Sequence, residues 1–269
     1  MQVFIYLFPC GVSRMNVKGV LLDLDGVLYT GDNPIPGAPG AVRYLKERGY
    51  IIRFVSNSTR KTRASIESRL QAFGFDIGKD EIFTPSVAAI NYIVGTGLKR
   101  VHLLTTMDLH SEFEAAGLFH RESQADWVIV GDAGDNFNYD TMNQVFRQVQ
   151  GGAGIIALEK DRYWMGNDGL MLSAGPFVCG IEYATGKPAT LVGKPSPDFF
   201  GMALRDMGLK PCDAVMIGDD VVTDTGGAMK AGMQGILVRT GKFSPESLAG
   251  ADPAPTRVVG SIAEIHKIL

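Results

Sequence analysis

The sequence predicts an α/β protein: a doubly wound parallel sheet with a second α/β domain inserted into it. Three observations lead there. Short apolar runs alternate with segments of helical spacing near both ends of the chain, and that repetition requires crossover connections and therefore parallel strands. Two of the runs end in acids (VLLDLD and AVMIGDD) and a third ends in Ser-Asn. Polar groups at the carboxyl ends of buried strands mark the edge where such sheets bind ligands. The middle of the chain repeats the rhythm without comparable strand ends, which sets it apart as a separate unit.

The elements follow in order. Val20–Asp25 reads as a buried strand stopped by the Asp25-Gly26 turn signal. Residues 39–48 carry helical spacing, Ile51–Val55 is a second buried strand, and 62–73 is a polar, basic helix. In the middle, Val101–Leu104, Trp127–Val130 and Gly154–Leu158 read as strands, with helices over 111–116 and Tyr139–Gln150. Toward the end, Ala189–Val192 reads as the strand that returns from the insert. Pro197–Met207 is a helix, Ala214–Ile217 a strand, 223–231 helical, Gly235–Val238 a strand, and the tail from Ser261 a helix. The expected division is a core domain of residues 15–85 plus 187–269, with residues 86–186 inserted and hinges near Pro85 and Gly186–Pro188. Residues 1–14 are apolar but lack a basic stretch before the apolar run. They read as a start placed too early or a disordered tail rather than a signal peptide.

Composition narrows the function. With 45% hydrophobic and 20% charged residues, the chain can bury a sizeable core. The net charge of −3 and the absence of a basic block argue against nucleic acid or an anionic membrane as the main partner. No stretch is long and apolar enough to cross a bilayer. The isolated cysteines Cys10, Cys179 and Cys212 form no CxxC pair, which suits a reducing cytosol. The scattered histidines give no nitrogen-ligated metal motif.

Four segments carry chemistry. In Asp23-Leu24-Asp25-Gly26 two acids stand two residues apart, and on an extended chain they point the same way. Like charges that close call for a hard cation with oxygen ligands, such as Mg²⁺. An acidic turn after a strand is the plain alternative. Gly218-Asp219-Asp220 brings further acids to the same edge, with Asp219 set to complete a metal site. Asp220 reads as a solvated turn acid. Asp224 opens the next helix, where capping is its alternative. Ser56-Asn57 supplies a hydroxyl and backbone N–H groups suited to a phosphate oxygen, or else helix capping. Lys194, in Gly193-Lys194-Pro195, leaves a buried strand at the acidic edge, where a cation offsets carboxylates; an ordinary surface charge is the alternative. Two further patterns fail. Gly180–Lys187 has the wrong spacing for a P-loop, with Pro188 in place of the hydroxyl. Gly95-Thr96-Gly97 lacks the third glycine of a dinucleotide fingerprint.

Taken together and in this order, the DLDGVLY, SN, GKP and GDDVVTD segments resemble the haloacid dehalogenase superfamily, in its NagD-type subfamily with a type IIA cap inserted between the second and third motifs. The stretches GLMLSAGPFVCGIEYATG and VGKPSPDFF are similar to the phospholysine phosphohistidine inorganic pyrophosphate phosphatase group. The resemblance covers nearly all of the chain after Met15. It implies a Rossmann-like core and a Mg²⁺-dependent phosphatase. Asp23 would be nucleophile and metal ligand. Asp25 would be general acid/base, with its backbone carbonyl on the metal. Ser56 and Asn57 would hold phosphoryl oxygens, Lys194 would neutralise charge and orient Asp23, Asp219 would be the remaining metal ligand, and Asp224 would support the metal through hydrogen bonds. An acid at Asp25 favours cleavage of phosphate esters, phosphoramidates or anhydrides over carbon–halogen bonds.

The expected substrates are small phosphorylated metabolites. Phosphohistidine, phospholysine or pyrophosphate substrates are the alternative, and a non-catalytic phosphate-binding regulatory module is the alternative of another class. Specificity contacts are expected from the insert near Asp161–Asp168, with Tyr163, Trp164 and Asn167 as candidates. The expected location is the cytoplasm, and a homodimer is expected because relatives with this insert often dimerise.

Overall fold

The computed structural model describes residues 15–166 and 169–269. Strand β1 (Gly19–Asp23) is followed by a small hairpin, β2 (Tyr29–Thr30) and β3 (Asn33–Pro34), then α1 (Ala38–Glu47), β4 (Ile51–Val55), α2 (Arg63–Ala72) and β5 (Ile82–Phe83). The middle contributes α3 (Pro85–Thr96), β6 (Arg100–Leu104), α4 (Met107–Ala115), β7 (Phe119–His120), β8 (Trp127–Val130), α5 (Tyr139–Gln150) and β9 (Gly154–Ala157). A second hairpin, β10 (Tyr163–Gly166) and β11 (Gly169–Leu172), leads to α6 (Ala174–Thr185) and β12 (Thr190–Leu191). The chain ends with α7 (Pro197–Met207), β13 (Ala214–Gly218), a π-helical segment Val221–Gly226 that runs into α8 (Gly227–Lys230), β14 (Gln234–Val238), α9 (Pro245–Ala249) and β15 (Arg257–Val259).

The first sheet has six parallel strands in the order β15-β14-β13-β1-β4-β5. Its chain direction reverses at β1. One connection runs out to β4, while β13 returns on the other side, so the carboxyl ends of β1 and β13 lie side by side. This is the switch point where open α/β sheets form crevices. Both faces are buried. Val20 and Leu22 of β1 enter one apolar cluster with Val42 and Leu45 of α1. Leu21, on the opposite face, enters another with Phe199, Phe200 and Leu204 of α7. The all-apolar strand reading follows from that double coverage.

The second sheet has five parallel strands in the order β12-β9-β8-β6-β7. Leu103, Ile129 and Ile156 from this sheet belong to the same apolar cluster as Leu21 and Phe199, so packing is continuous between the two sheets. The structure corrects one sequence expectation here. The strand expected over Ala189–Val192 as the return to the first sheet instead pairs with β9, at the edge of the second. Its four apolar or small residues do not say which neighbour they pair with. A second correction concerns length: β1 stops at Asp23, so the alternation argument that placed Asp23 and Asp25 on one face does not reach Asp25.

Two twelve-residue helices were not expected from sequence, nor was the short α9. PSVAAINYIVGT (α3) and AGPFVCGIEYAT (α6) have weak contrast between faces and carry β-branched residues and glycine inside. Tertiary burial, rather than amphipathic spacing, carries them. Helix α3 does have start signals, with Pro85 in its first turn and the Thr84 hydroxyl accepting from the Val87 N–H. At the tail, the expected helix is reduced to short 3₁₀ turns over Ile262–Lys267.

Candidate active site

The site lies where β1 and β13 end. Asp23 is the last residue of β1 and is 8% exposed. Its Oδ1 accepts from the Lys194 ammonium at 2.6 Å, and the same ammonium donates to Asp224 Oδ1 at 2.6 Å. Lys194 and Asp224 are both buried, at 4% and 1%. Asp219 follows β13 and is 3% exposed. One carboxylate oxygen from each of Asp23, Asp219 and Asp224 lies within 4.8 Å of the other two.

Local structure explains how three acids come so close. Gly26 turns the chain out of β1 with φ of 80°, and a Cβ there would stand 2.0 Å from Asp219 Oδ2. Only glycine tolerates both the left-handed backbone and the approach. Gly241 packs against Gly26 beside the same oxygen, where a Cβ would also collide with Asp219 Oδ2, and the Lys242 N–H donates to Asp219 Oδ2 at 2.6 Å. A Cβ on Gly218 would fall 2.2 Å from Asp224 Cβ, so the bare backbone there lets Asp224 lie against the end of β13. Asp220 starts the π-helical segment. Its Oδ1 accepts from the N–H groups of Val222 and Thr223 at 2.8 and 3.0 Å, and its own N–H donates to Asp224 Oδ2 at 3.2 Å. The sequence reading is thereby exchanged: Asp220, read as a solvated turn acid, is the helix cap, and Asp224, whose alternative was capping, is the buried acid.

The electrostatics follow from this burial. Asp23 is pushed up to about 8, chiefly by burial and then by Asp224, with Lys194 opposing. Asp219 is pushed up to about 7 by burial and by Asp224. Burial alone would lower Lys194, but Asp224 and Asp23 outweigh it and hold the ammonium well above its ordinary range. Three buried carboxylates face one buried ammonium, so the cluster lacks positive charge. A hard, oxygen-seeking divalent cation supplies what the donor set lacks, and the residues fit Mg²⁺.

The remaining candidates are arranged unevenly. Asp25 is exposed, and its carboxylate is not part of the close group. The Asn57 amide is committed: its Oδ1 accepts from the Lys194 N–H at 2.8 Å and its Nδ2 donates to the Lys194 carbonyl at 2.9 Å. The Asn57 side chain is thus taken up by the Lys194 backbone, and its main-chain N–H is the group the sequence reading offered to a phosphate oxygen. Ser56 Oγ accepts from the Ser58 N–H at 3.1 Å, which leaves its hydroxyl hydrogen available to donate.

Two residues reach the site without a motif. Asp161, after β9, is half-buried. Its carboxyl is raised chiefly by burial, opposed by Lys242 and Lys194. Lys242 follows β14, and its N–H is bonded to Asp219. The sequence points to the 161–168 stretch but not to Lys242, because a lone lysine after a strand carries no signal of its own. Tyr163 and Trp164 are exposed on β10, with the Arg60 guanidinium 5.8 Å from the Trp164 ring centre. Asn167 lies outside the described residues.

Comparison with known proteins agrees with this geometry. Residues 20–119 match the model described as haloacid dehalogenase-like hydrolase, and residues 191–265 match one described as HAD-hydrolase-like. The chain therefore belongs to the haloacid dehalogenase-like hydrolases, as an enzyme of the NagD-type phosphatase group. It is 42% identical to haloacid dehalogenase-like hydrolase domain-containing protein 2 of Bos taurus, over 90% of this chain and 92% of that protein. It is 39% identical to the phospholysine phosphohistidine inorganic pyrophosphate phosphatase of Homo sapiens, over 97% of each. Among solved structures, NagD from E. coli K-12 superposes with a TM-score of 0.86 at 28% identity, covering 93% of this chain and 99% of that one.

Proposed function

We propose that the chain hydrolyses small phosphorylated metabolites in a Mg²⁺-dependent reaction through a phosphorylated Asp23. The observation that carries this reading is the buried group Asp23, Asp219 and Asp224 around Lys194 at the carboxyl edge of the sheet. Asp23, Asp219 and the main-chain carbonyl of Asp25 would hold the metal, with Asp224 beside them. When bound, Mg²⁺ lowers the repulsion between a phosphate dianion and the attacking carboxylate and stabilises charge in the transition state.

The chain's own groups supply the rest. Lys194 orients Asp23 and offsets its charge through the 2.6 Å contact. The Ser56 hydroxyl and the Asn57 main-chain N–H hold phosphoryl oxygens. The Asp23 carboxylate attacks phosphorus, and Asp25 gives a proton to the leaving oxygen. Asp25 then takes a proton from the water that attacks the acyl phosphate, which frees phosphate and restores Asp23. Splitting one displacement into two lowers the barrier of each. Residues 86–186, with β12, act as a cap that excludes water and carries specificity contacts.

The 39% identity to a phosphatase named for phospholysine, phosphohistidine and inorganic pyrophosphate favours a second reading, cleavage of P–N or P–O–P bonds by the same machinery. A homodimer is part of the proposal. No helix among the described residues is long and apolar enough to cross a membrane; a cytoplasmic site of action is proposed with the rest.

The test is a panel of phosphate monoesters, pyrophosphate and a phosphohistidine peptide, each assayed with Mg²⁺ for wild type and Asp23→Asn. The variant keeps the shape and loses the anion, and kcat should fall by at least about 10³ (roughly 4 kcal/mol). Turnover by Asp23→Asn at the wild-type rate would remove the proposed nucleophile.

A further inference from the structure

Asp25, the proposed proton donor, is exposed, and among the described residues its carboxylate forms no ion pair and accepts no hydrogen bond. Its aim is therefore set by the backbone on which it stands. That backbone is a closed turn. The Leu28 N–H donates to the Leu24 carbonyl at 2.8 Å, the Gly26 N–H donates to the Tyr29 carbonyl at 2.7 Å, and Asp25 pairs with Tyr29 as an isolated bridge. Tyr29 also opens the hairpin of β2 and β3, so turn and hairpin are one continuous piece.

The hairpin is poorly supported by its own bonds. It has two residues in each strand and lies outside both larger sheets. An isolated two-stranded hairpin is marginal in water. A tie from outside comes from Arg69 on α2. Its guanidinium carbon lies 4.7 Å from the centre of the Tyr29 ring and 5.5 Å from that of Phe73, and the two rings are 5.5 Å apart. Arg69 Nη2 donates to the Gly31 carbonyl and pairs with Asp32 Oδ1 at 3.1 Å. The Asp32 side chain is 98% exposed, so that pair contributes little. The stack on Tyr29 and the bond to Gly31, both made by a half-buried side chain, carry the attachment. After β14, the Thr240 hydroxyl donates to the Gly26 carbonyl. The turn bearing Asp25 is thus tied to the core sheet through Gly26 and to α2 through Tyr29.

We propose that Arg69 is a positioning residue: it fastens the hairpin to α2 and so holds the turn that aims Asp25 at the leaving oxygen. This rests on the phosphatase reading above and concerns its proton-transfer step. As the phosphorus–oxygen bond breaks, the Asp25 proton passes to the departing oxygen and Asp25 is left as a carboxylate. An oxygen that leaves readily as an anion has little need of that proton, whereas an alkoxide needs it. Misaiming Asp25 therefore slows esters of basic alcohols most. A general loosening of the site slows every ester alike.

The test compares p-nitrophenyl, phenyl and ethyl phosphate, in rising order of leaving-group basicity. Each is assayed with Mg²⁺ for wild type, Arg69→Met, Arg69→Lys and Asp25→Asn, with melting curves recorded for all four proteins. The measure is kcat/KM, which covers the steps up to loss of the leaving group. Asp25→Asn sets the scale: ethyl phosphate should lose at least about 10² and p-nitrophenyl phosphate far less. In Arg69→Met, ethyl phosphate should lose about tenfold and p-nitrophenyl phosphate less than about twofold, with phenyl phosphate between them. Arg69→Lys can still donate to the Gly31 carbonyl and should lie between Arg69→Met and wild type. It carries the same comparison, with a smaller spread, if the methionine protein does not fold. An equal loss on all three esters in the Arg69 variants, or no loss on ethyl phosphate, overturns the assignment. If Asp25→Asn itself slows the three esters equally, Asp25 is not the proton donor and the proposal falls with that step. If wild type turns over none of the esters, the phosphatase reading falls first and takes this proposal with it.

Discussion

Replacing Lys194 by methionine isolates the electrostatic core of the site. The side chain keeps its length and loses its charge, so the change is mainly one of field. Lys194 is 4% exposed and makes two 2.6 Å contacts, with Asp23 and with Asp224. Solvent screening is small at that depth, and the variant leaves buried carboxylates without a partner. Removing one member of a buried ion pair costs about 3–5 kcal/mol. For a chain of this size each kcal/mol moves the melting temperature by about 2–4 °C, so the expected drop is about 6–20 °C. The assay is thermal unfolding in EDTA at pH 7.5, followed by circular dichroism, with urea unfolding as an independent measure. Adding Mg²⁺ should recover part of the loss, since the cation can replace the missing positive charge. A loss below about 1 kcal/mol, the range of exposed surface pairs, would refute the view that Lys194 is the counter-charge of a buried acid cluster.

Two more predictions concern the same cluster. Without metal, Asp23 and Asp219 are raised from their ordinary 3.8 to about 8 and about 7. Between those values the folded protein holds more protons than the unfolded one, so this contribution to stability is present in acid and is lost as pH rises through the window. Mg²⁺ would bind the acids in their ionised form, so the rise in melting temperature on adding Mg²⁺ should be larger at pH 8 than at pH 5; a flat or reversed trend counts against the acids as ligands. The imidazoles of buried His102 and half-buried His110 and His120 are held below their ordinary value by loss of solvent and pull stability the other way in acid, but they cancel in the difference with and without metal. Gly26→Ala should lower kcat/KM by at least about 10², because a Cβ meets Asp219 and the backbone is left-handed. Near-normal activity in a folded Gly26→Ala protein would contradict the close approach described here.

Much of the fold is legible in the chain itself. Ile51–Val55, Trp127–Val130 and Tyr139–Gln150 match the sequence reading residue for residue, because each is a strongly patterned run with clear stops. Asp23, Asp219 and Lys194 are legible because a charged residue at the end of a buried strand must meet either solvent or a counter-charge. Local pattern fails where the decisive fact is tertiary. Helices α3 and α6 lack a polar face. The two residues of β12 do not say which sheet they join. The π-helical turn is what separates the roles of Asp220 and Asp224, and no spacing rule signals that widening. The task of the Asn57 side chain is not legible, because its bond to Lys194 spans 137 positions of sequence and leaves no local trace.

That bond has a consequence for how the molecule tolerates change. Asn57 precedes the second sheet in the chain and Lys194 follows it, so the two strands of polypeptide that lead out and back are buttoned together beside the acid cluster. What hangs beyond the button can be lengthened, redecorated or exchanged while the chemistry beneath keeps its alignment. Selection is then free to rewrite the choice of substrate in one part of the gene without renegotiating the reaction in another.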